Sequence, residues 1–256
     1  MYLEADLRRG LRRGEFELYY QPRISLDDAR VAGVEALLRW NHPVRGLVMP
    51  ADFIPLAEEV GLIVPLGYWV IHQACQDMRA MDARGMEPIH VAVNLSFRQF
   101  LDVKFVETVG NIIDSAVIDP HRLEFELTET AIMSHFEETE RSMQTIRAMG
   151  PTFSLDDFGT GYSSFAHIQR LPIGALKIDR SFVQNVTSMQ GDATIVKAMI
   201  SLAHNLGLAV IAEGAETVEQ VGFLRDHACD QVQGFFYSRP VKFAELLEFV
   251  RRDLSL

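Results

Sequence analysis

Two adjacent aspartates, Asp156 and Asp157, end a short apolar run in "SLDDFGTGYSS" (154–164), and a loop of Gly, Thr and Ser follows at once. Ionised carboxylates side by side repel each other and are costly to desolvate, so a pair at the end of a core strand calls for compensating charge. Single polar residues interrupt other apolar runs near their C-terminal ends. They are Glu35 in "VAGVEALLR", Asn94 in "VAVNLS", Glu126 in "LEFELTE", Lys177 in "ALKID", Glu213 in "VIAEG" and Gln233 in "DQVQG". One such residue is ordinarily a satisfied buried group. The same intrusion at the same end of run after run marks a site. Glu, Asp and Asn supply hard oxygen ligands, suited to Mg²⁺, Mn²⁺ or Ca²⁺ rather than to the Cys/His sets of structural zinc. The eight histidines are scattered without ligand spacing. Adjacent aspartates then have a use: one bridges two cations and its neighbour binds the second. Two divalent ions about 3.5–4 Å apart are the usual apparatus for in-line attack of water on a phosphate ester. Glu35, Glu126, Asp156, Asp157 and Glu213 with Lys177 carry a net −4, which two divalent cations bring to zero. A metal-free mouth of that charge repels a phosphodiester, and a loaded one accepts it.

These residues need elements that bring strand ends together. Short runs rich in Val, Ile, Leu and Phe predict strands at 16–24, 31–40, 89–96, 122–129, 152–157, 174–179, 208–214 and 229–236. Helical patterns lie between them, at 65–81, 135–150, 192–207 and 216–227, and an amphipathic segment at 243–254 closes the chain. Gly150 and Gly207 read as C-terminal caps. Eight strands alternating with helices in 256 residues fit a (β/α)₈ barrel of the TIM type, whose strand ends gather at one mouth. An open doubly wound sheet is the runner-up, but no G-x-G-x-x-G follows the first strand.

Bulk composition excludes several classes. With 48% hydrophobic and 23% charged residues the chain can bury a sizeable core. A net charge of −11 argues against a duplex nucleic acid partner. No apolar run reaches about 18 residues, so no membrane contact is expected from this segment. The N-terminus lacks the apolar region of a signal peptide. Cys75 and Cys229 read as ordinary thiols of a cytoplasmic domain. "LRRGLRRG" (7–14) predicts a short basic leading helix, and residues 1–256 read as one domain cut from a larger protein.

The motifs together resemble the EAL-domain cyclic di-GMP phosphodiesterases of bacteria. The matching stretches are "LYYQPRISL" (18–26), "GVEALLRWNHPVRGLVMPADFIPLAEEVGLI" (33–63), "VNLS" (93–96), "ELTET" (126–130), "LDDFGTGYSS" (155–164), "LPIGALKIDRSFV" (171–183), "AEGAET" (212–217) and "QGFFYSRP" (233–240). The resemblance implies a TIM-like barrel whose first strand is antiparallel. It also implies hydrolysis of one 3′–5′ bond of cyclic di-GMP to linear pGpG with two Mg²⁺ or Mn²⁺ ions. By the same resemblance, Glu35, Asn94, Glu126 and Asp156 match ligands of the first metal, and Asp156, Asp157 and Glu213 those of the second. Lys177 matches a lysine near the attacking water and phosphate. Glu213 also matches a glutamate proposed as general base, and the two roles stay open. Gln21 and Arg39 match residues reaching the phosphate and sugar, and Gln233 one that orders water or ligand near the metals. Asp179 and Glu216 match residues that orient the ligands. Glu129 matches the glutamate holding the loop "FGTGYSS" (158–164), which the family ties to dimerisation and substrate affinity. A homodimer and an upstream GGDEF or sensory domain, in a parent that could be membrane-anchored, are further implications. Ala215 departs from the usual valine of "AEGVET", a packing change.

Two other classes compete: a silent receptor that binds cyclic di-GMP without cutting it, and an unrelated barrel enzyme such as a glycosidase. Receptors of the family usually have these acidic residues replaced, and here all are present. A glycosidase needs one carboxyl pair and no metal cluster. His42 reads as shaping the turn before Pro43, Phe235 to Tyr237 as packing, and "GYSSF" lacks the nucleophile elbow of a serine hydrolase.

Overall fold

The computed structural model describes residues 2–133, 135–159 and 165–251. Most of the loop expected to govern dimerisation, with Thr160, Gly161, Ser163 and Ser164, lies outside the described residues.

Helix α1 (Tyr2–Arg13) leads into a long antiparallel pair, β1 (Phe16–Ser25) and β2 (Val31–His42). A short β3 (Gly46–Val48) precedes α2 (Pro50–Glu59) and α3 (Ile63–Asp82). Strands and helices then alternate: β4 (His90–Asn94), α4 (Phe97–Phe100), α5 (Phe105–Ala116), β5 (Leu123–Thr128), α6 (Glu129–Met133), α7 (Phe136–Ala148), β6 (Thr152–Phe158) and α8 (Phe165–Ile168). The series ends with β7 (Ala175–Ile178), α9 (Arg180–Val183), α10 (Gln190–Asn205), β8 (Ala209–Glu213), α11 (Val218–Asp226), β9 (Gln231–Gln233), β10 (Val241–Lys242) and α12 (Phe243–Phe249).

The sheet closes on itself. Strands β2, β4, β5, β6, β7, β8 and β9 are parallel in that order, and β1 bonds antiparallel to both β2 and β9. The result is an eight-stranded α/β barrel with its first strand reversed, as the motifs imply; β3 and β10 are appended to β2 and β1. Barrel strands are covered on one face by the interior and on the other by helices, so they read as continuous apolar runs. Val91, Ala92 and Val93 of β4 are all fully buried, as are Val210 and Ala212 of β8. The helices show the complementary 3.6 period: α3 buries Leu66, Val70, Ala74 and Met78 on one face. Gly150 and Gly207 take positive φ at the ends of α7 and α10, as caps should.

Two of the longer helices, α2 and α5, fall outside the expected helical stretches, as do the short α4, α6, α8 and α9. The period of α5 is plain, with Phe105, Val109, Ile113 and Ala116 buried on one face. In α2 the signal is hidden by prolines. Pro50 sits in the first turn, where a missing N–H costs nothing, but Pro55 lies inside the helix and reads as a breaker. His42 does shape a turn: its Nδ1 accepts hydrogen bonds from the backbone N–H of Val44 and of Arg45, each at 3.1 Å.

Candidate active site

All eight barrel strands contribute a polar side chain to one connected cluster at the C-terminal mouth. Lys177 of β7 is its centre and is 1% exposed. Its ammonium donates to Glu126 Oε2 of β5 at 2.6 Å and lies 2.6 Å from Glu213 Oε1 of β8. Asp156 Oδ1 of β6 is at 3.4 Å and Glu35 Oε2 of β2 at 3.8 Å. Asn94 Nδ2 of β4 donates to Glu35 Oε1 at 2.6 Å. Gln233 Nε2 of β9 donates to Glu35 Oε2 at 2.5 Å and to Gln21 Oε1 of β1 at 3.1 Å. Residues far apart in sequence thus meet because the register sets them side by side or two residues apart on neighbouring strands: Gln21 pairs with Glu35, Asn94 with Glu126 and Glu213 with Gln233, while Asp156 stands two residues beyond Ser154, the partner of Glu126.

The paired aspartates are explained by a break in the strand. Consecutive residues of a regular strand point to opposite faces. Between Leu155 and Phe158 the register of β6 against β7 shifts, and Asp157 adopts a left-handed φ of 54°. Asp tolerates that conformation better than most residues, and bulges of this kind re-aim side chains beside active sites. Asp156 Oδ1 meanwhile accepts the backbone N–H of Asp157 at 2.9 Å.

The electrostatics are those of a site with too much negative charge for its one ammonium. Burial, reinforced by neighbouring carboxylates, pushes Glu126 well above the usual range and Glu213 up to about 7 against the opposing pull of Lys177. Burial and the charge of Asp156 raise Asp157 as well. Burial also works against ionised Glu35, but Lys177 and the amides of Gln233 and Asn94 outweigh it and hold that carboxyl low. Burial alone would lower Lys177; the surrounding carboxylates, Glu126 first, drive it well above its ordinary value.

These features fit hard divalent cations. The donors are carboxylate and amide oxygens, and Glu126 Oε1 and Gln233 Oε1 are buried without a hydrogen-bond partner. Among the described residues, no group of three or more His, Cys, Asp or Glu side chains stands arranged to hold a metal ion. The carboxylates are drawn in on Lys177 instead, so a cation entering here competes with the ammonium for the same oxygens.

Gln21 is buried and donates to Ser238 O at 3.1 Å. Arg39 is buried on β2, donating to Leu38 O at 2.9 Å and lying over the Tyr19 ring at 5.5 Å. Asp179 caps α9, accepting from the backbone N–H of Ser181 at 3.0 Å. Glu216 is exposed on the rim, its backbone N–H donating to Gln220 Oε1 at 2.7 Å. Glu129 opens α6 and is buried, not a solvated charge at a strand end. A cleft of about 210 Å³ is bounded by Gln21, Glu35, Asp156, Glu213, Glu216 and Gln233, with Arg180 and Phe235 at its edge. An apolar cavity of about 500 Å³ adjoins it past Leu37 and Asn94. Phe235 is half exposed beneath the Arg239 guanidinium, 4.2 Å from its ring centre, rather than packed in the core.

Sequence reasoning passed over Gly234. A Cβ there would lie 2.0 Å from the backbone oxygen of Ala215 and 2.5 Å from its nitrogen, so only glycine lets β9 close against the segment after Glu213. Gly234→Ala is expected to cost about 1–3 kcal/mol and to pull Gln233 off Glu35. A thermal melt checks this; an unchanged melting temperature would show that the backbone yields freely.

The EAL domain family model matches residues 4–240. The chain belongs to the EAL domain family. It is 43% identical over 251 residues to the cyclic di-GMP phosphodiesterase NbdA of Pseudomonas aeruginosa, a match covering 98% of this chain and 32% of NbdA. It is 42% identical over 250 residues to the bifunctional diguanylate cyclase/cyclic di-GMP phosphodiesterase MucR of the same organism, covering 98% of this chain and 36% of MucR. This EAL domain therefore spans about a third of the length of the curated relatives it matches. A solved structure of the PaMucR phosphodiesterase in complex with c-di-GMP superposes with a TM-score of 0.92 at 41% identity, covering 96% of this chain and 100% of that one.

Proposed function

We propose that this EAL domain hydrolyses cyclic di-GMP to linear pGpG with two divalent cations, Mg²⁺ or Mn²⁺. The observation that carries the reading is the convergence of Glu35, Glu126, Asp156 and Glu213, from four separate strands, on Lys177. Glu35, Asn94, Glu126 and Asp156 are assigned to the first cation, and Asp156, Asp157 and Glu213 to the second. When bound, the cations neutralise the substrate phosphate and favour deprotonation of the attacking water.

The chain's own groups do the rest. Water attacks phosphorus, the P–O3′ bond breaks, and the freed 3′ oxygen takes up a proton. Glu213, 2.6 Å from the Lys177 ammonium at the mouth, is assigned the proton of the water as the alternative to metal ligation. Lys177 places fixed positive charge where the phosphate's negative charge grows. Gln21 and Arg39 are assigned to the phosphate and sugar, and Gln233 orders the ligand beside Glu35. Asp179 and Glu216 support the loops around the mouth. Glu129 is assigned to loop control, the role through which the motif is tied to dimerisation and substrate affinity. Residues 1–14 would link residues 15–256 to an upstream GGDEF or sensory domain of a cytoplasmic signalling protein; no described helix is long and apolar enough to cross a membrane.

The test is to incubate the purified chain with cyclic di-GMP and Mg²⁺, Mn²⁺, Ca²⁺ or EDTA and to separate the products. Conversion to pGpG with Mg²⁺ or Mn²⁺, abolished by EDTA, is the expected result. Binding without cleavage would make the domain a receptor, and neither binding nor cleavage would remove the reading.

A further inference from the structure

Below the mouth lies a second charged layer that the reading above does not use. Arg23 of β1 is 1% exposed and projects into the barrel. Its guanidinium grips Glu124 of β5 with both prongs, Nη1 to Oε1 at 2.9 Å and Nη2 to Oε2 at 2.8 Å. The same Nη1 lies 3.6 Å from Glu126 Oε1, the carboxylate oxygen that turns away from Lys177 and has no hydrogen bond. Glu126 is therefore held between two buried cations, Lys177 toward the mouth and Arg23 beneath.

The backbone is shaped around this guanidinium. Gly33 is the cross-strand partner of Arg23, and a Cβ there would lie 2.8 Å from Arg23 Nη2 and 3.0 Å from the backbone oxygen of His90. On its other side Arg23 is paired with Gln233, which carries the amide bound to Glu35. Buried charge of this kind is not needed for a stable core, since apolar residues of similar volume commonly serve as well or better. A forked cation under one carboxylate of the cluster has a more specific consequence. It fixes the orientation of Glu126 and offsets part of its charge without occupying the face turned to the mouth.

We propose that Arg23, braced by Glu124, is a positioning residue that holds Glu126 from beneath and thereby sets the affinity of the mouth for divalent cations. The inference rests on the hydrolase reading, so the parent protein is measured first. A parent that neither binds Mn²⁺ by calorimetry nor cleaves cyclic di-GMP removes that reading and this inference together.

Given a parent that does both, the paired substitution Arg23→Met with Glu124→Met removes the fork and leaves neither charge orphaned. Mn²⁺ titrated into this variant without substrate should bind about 10–100-fold more weakly, the usual effect of losing such support. Its kcat should fall comparably while KM stays close to the parent's. Arg23→Lys keeps the charge but cannot fork onto two carboxylates, and is expected to lie between, at about tenfold weaker Mn²⁺ binding. If the double variant does not fold, Arg23→Lys decides alone. Parental Mn²⁺ affinity in any folded variant, even one with a lowered melting temperature, would overturn the proposal by reducing Arg23 to a structural residue.

Discussion

Lys177→Met is expected to cut kcat by about 10²-fold or more and to destabilise the metal-free protein, while metal content after dialysis is at least that of the parent. The ammonium is the shared partner of Glu126, Glu213, Asp156 and Glu35, at 2.6, 2.6, 3.4 and 3.8 Å. Methionine keeps the length and loses the charge, leaving four carboxylates facing one another in a buried pocket. Breaking a buried ion pair by removing one partner costs about 3–5 kcal/mol, which at about 2–4 °C per kcal/mol lowers the melting temperature by roughly 10 °C. Added Mn²⁺ should recover much of that loss, because divalent cations answer the same excess charge and bind only the folded state. Calorimetric melts with and without Mn²⁺, alongside product chromatography, check both halves. A variant with parental kcat would reassign Lys177 to structural support.

Glu35→Ala and Asp156→Ala should act on the other side of the same balance. Glu35 accepts from Asn94 at 2.6 Å and Gln233 at 2.5 Å, so it is fixed in place before any cation arrives. Asp156 faces Lys177 by the ordinary alternation of β6, whose pairing with β5 is regular as far as Thr128 and Asp156. Loss of either carboxylate removes a hard oxygen donor, and the cation contribution of several kcal/mol goes with it. Hydrolysis should fall by about 10³-fold or more with metal occupancy lost and the circular dichroism spectrum unchanged. Glu35→Gln is the sharper control, since it keeps the shape of the side chain but not its charge, although one of the two amides that donate to Glu35 then meets an NH2 in place of an oxygen. A variant of either residue that binds Mn²⁺ and turns over like the parent would remove it from the mechanism.

The chain's strands were legible because a barrel buries both of their faces, leaving apolar runs such as "VAV" and "VIA" broken by a single polar residue near the end. The reversed β1 was not legible from periodicity, since a strand's pattern is the same in either direction; it entered only through the resemblance of the motifs. Arg23 and Glu124 escaped notice for a related reason. Glu124 stands two residues before Glu126 in "LEFEL", on the same strand face, and looks like a duplicate of it. Gly234 escaped because what it avoids is a backbone oxygen from another segment, which no local pattern encodes.

Residue type and position along each strand were enough to determine which side chains assemble, what they can bind and roughly how much charge they carry, because a parallel barrel turns a position in sequence into a height in space. What they meet was decided by the tertiary structure. Closure of the sheet put one ammonium within 4 Å of four carboxylates and a guanidinium beneath Glu126. Proton affinities as far from ordinary as that of Glu213, at about 7, follow from burial and from neighbours supplied by other strands. Both are properties of the closed barrel and of none of its strands alone.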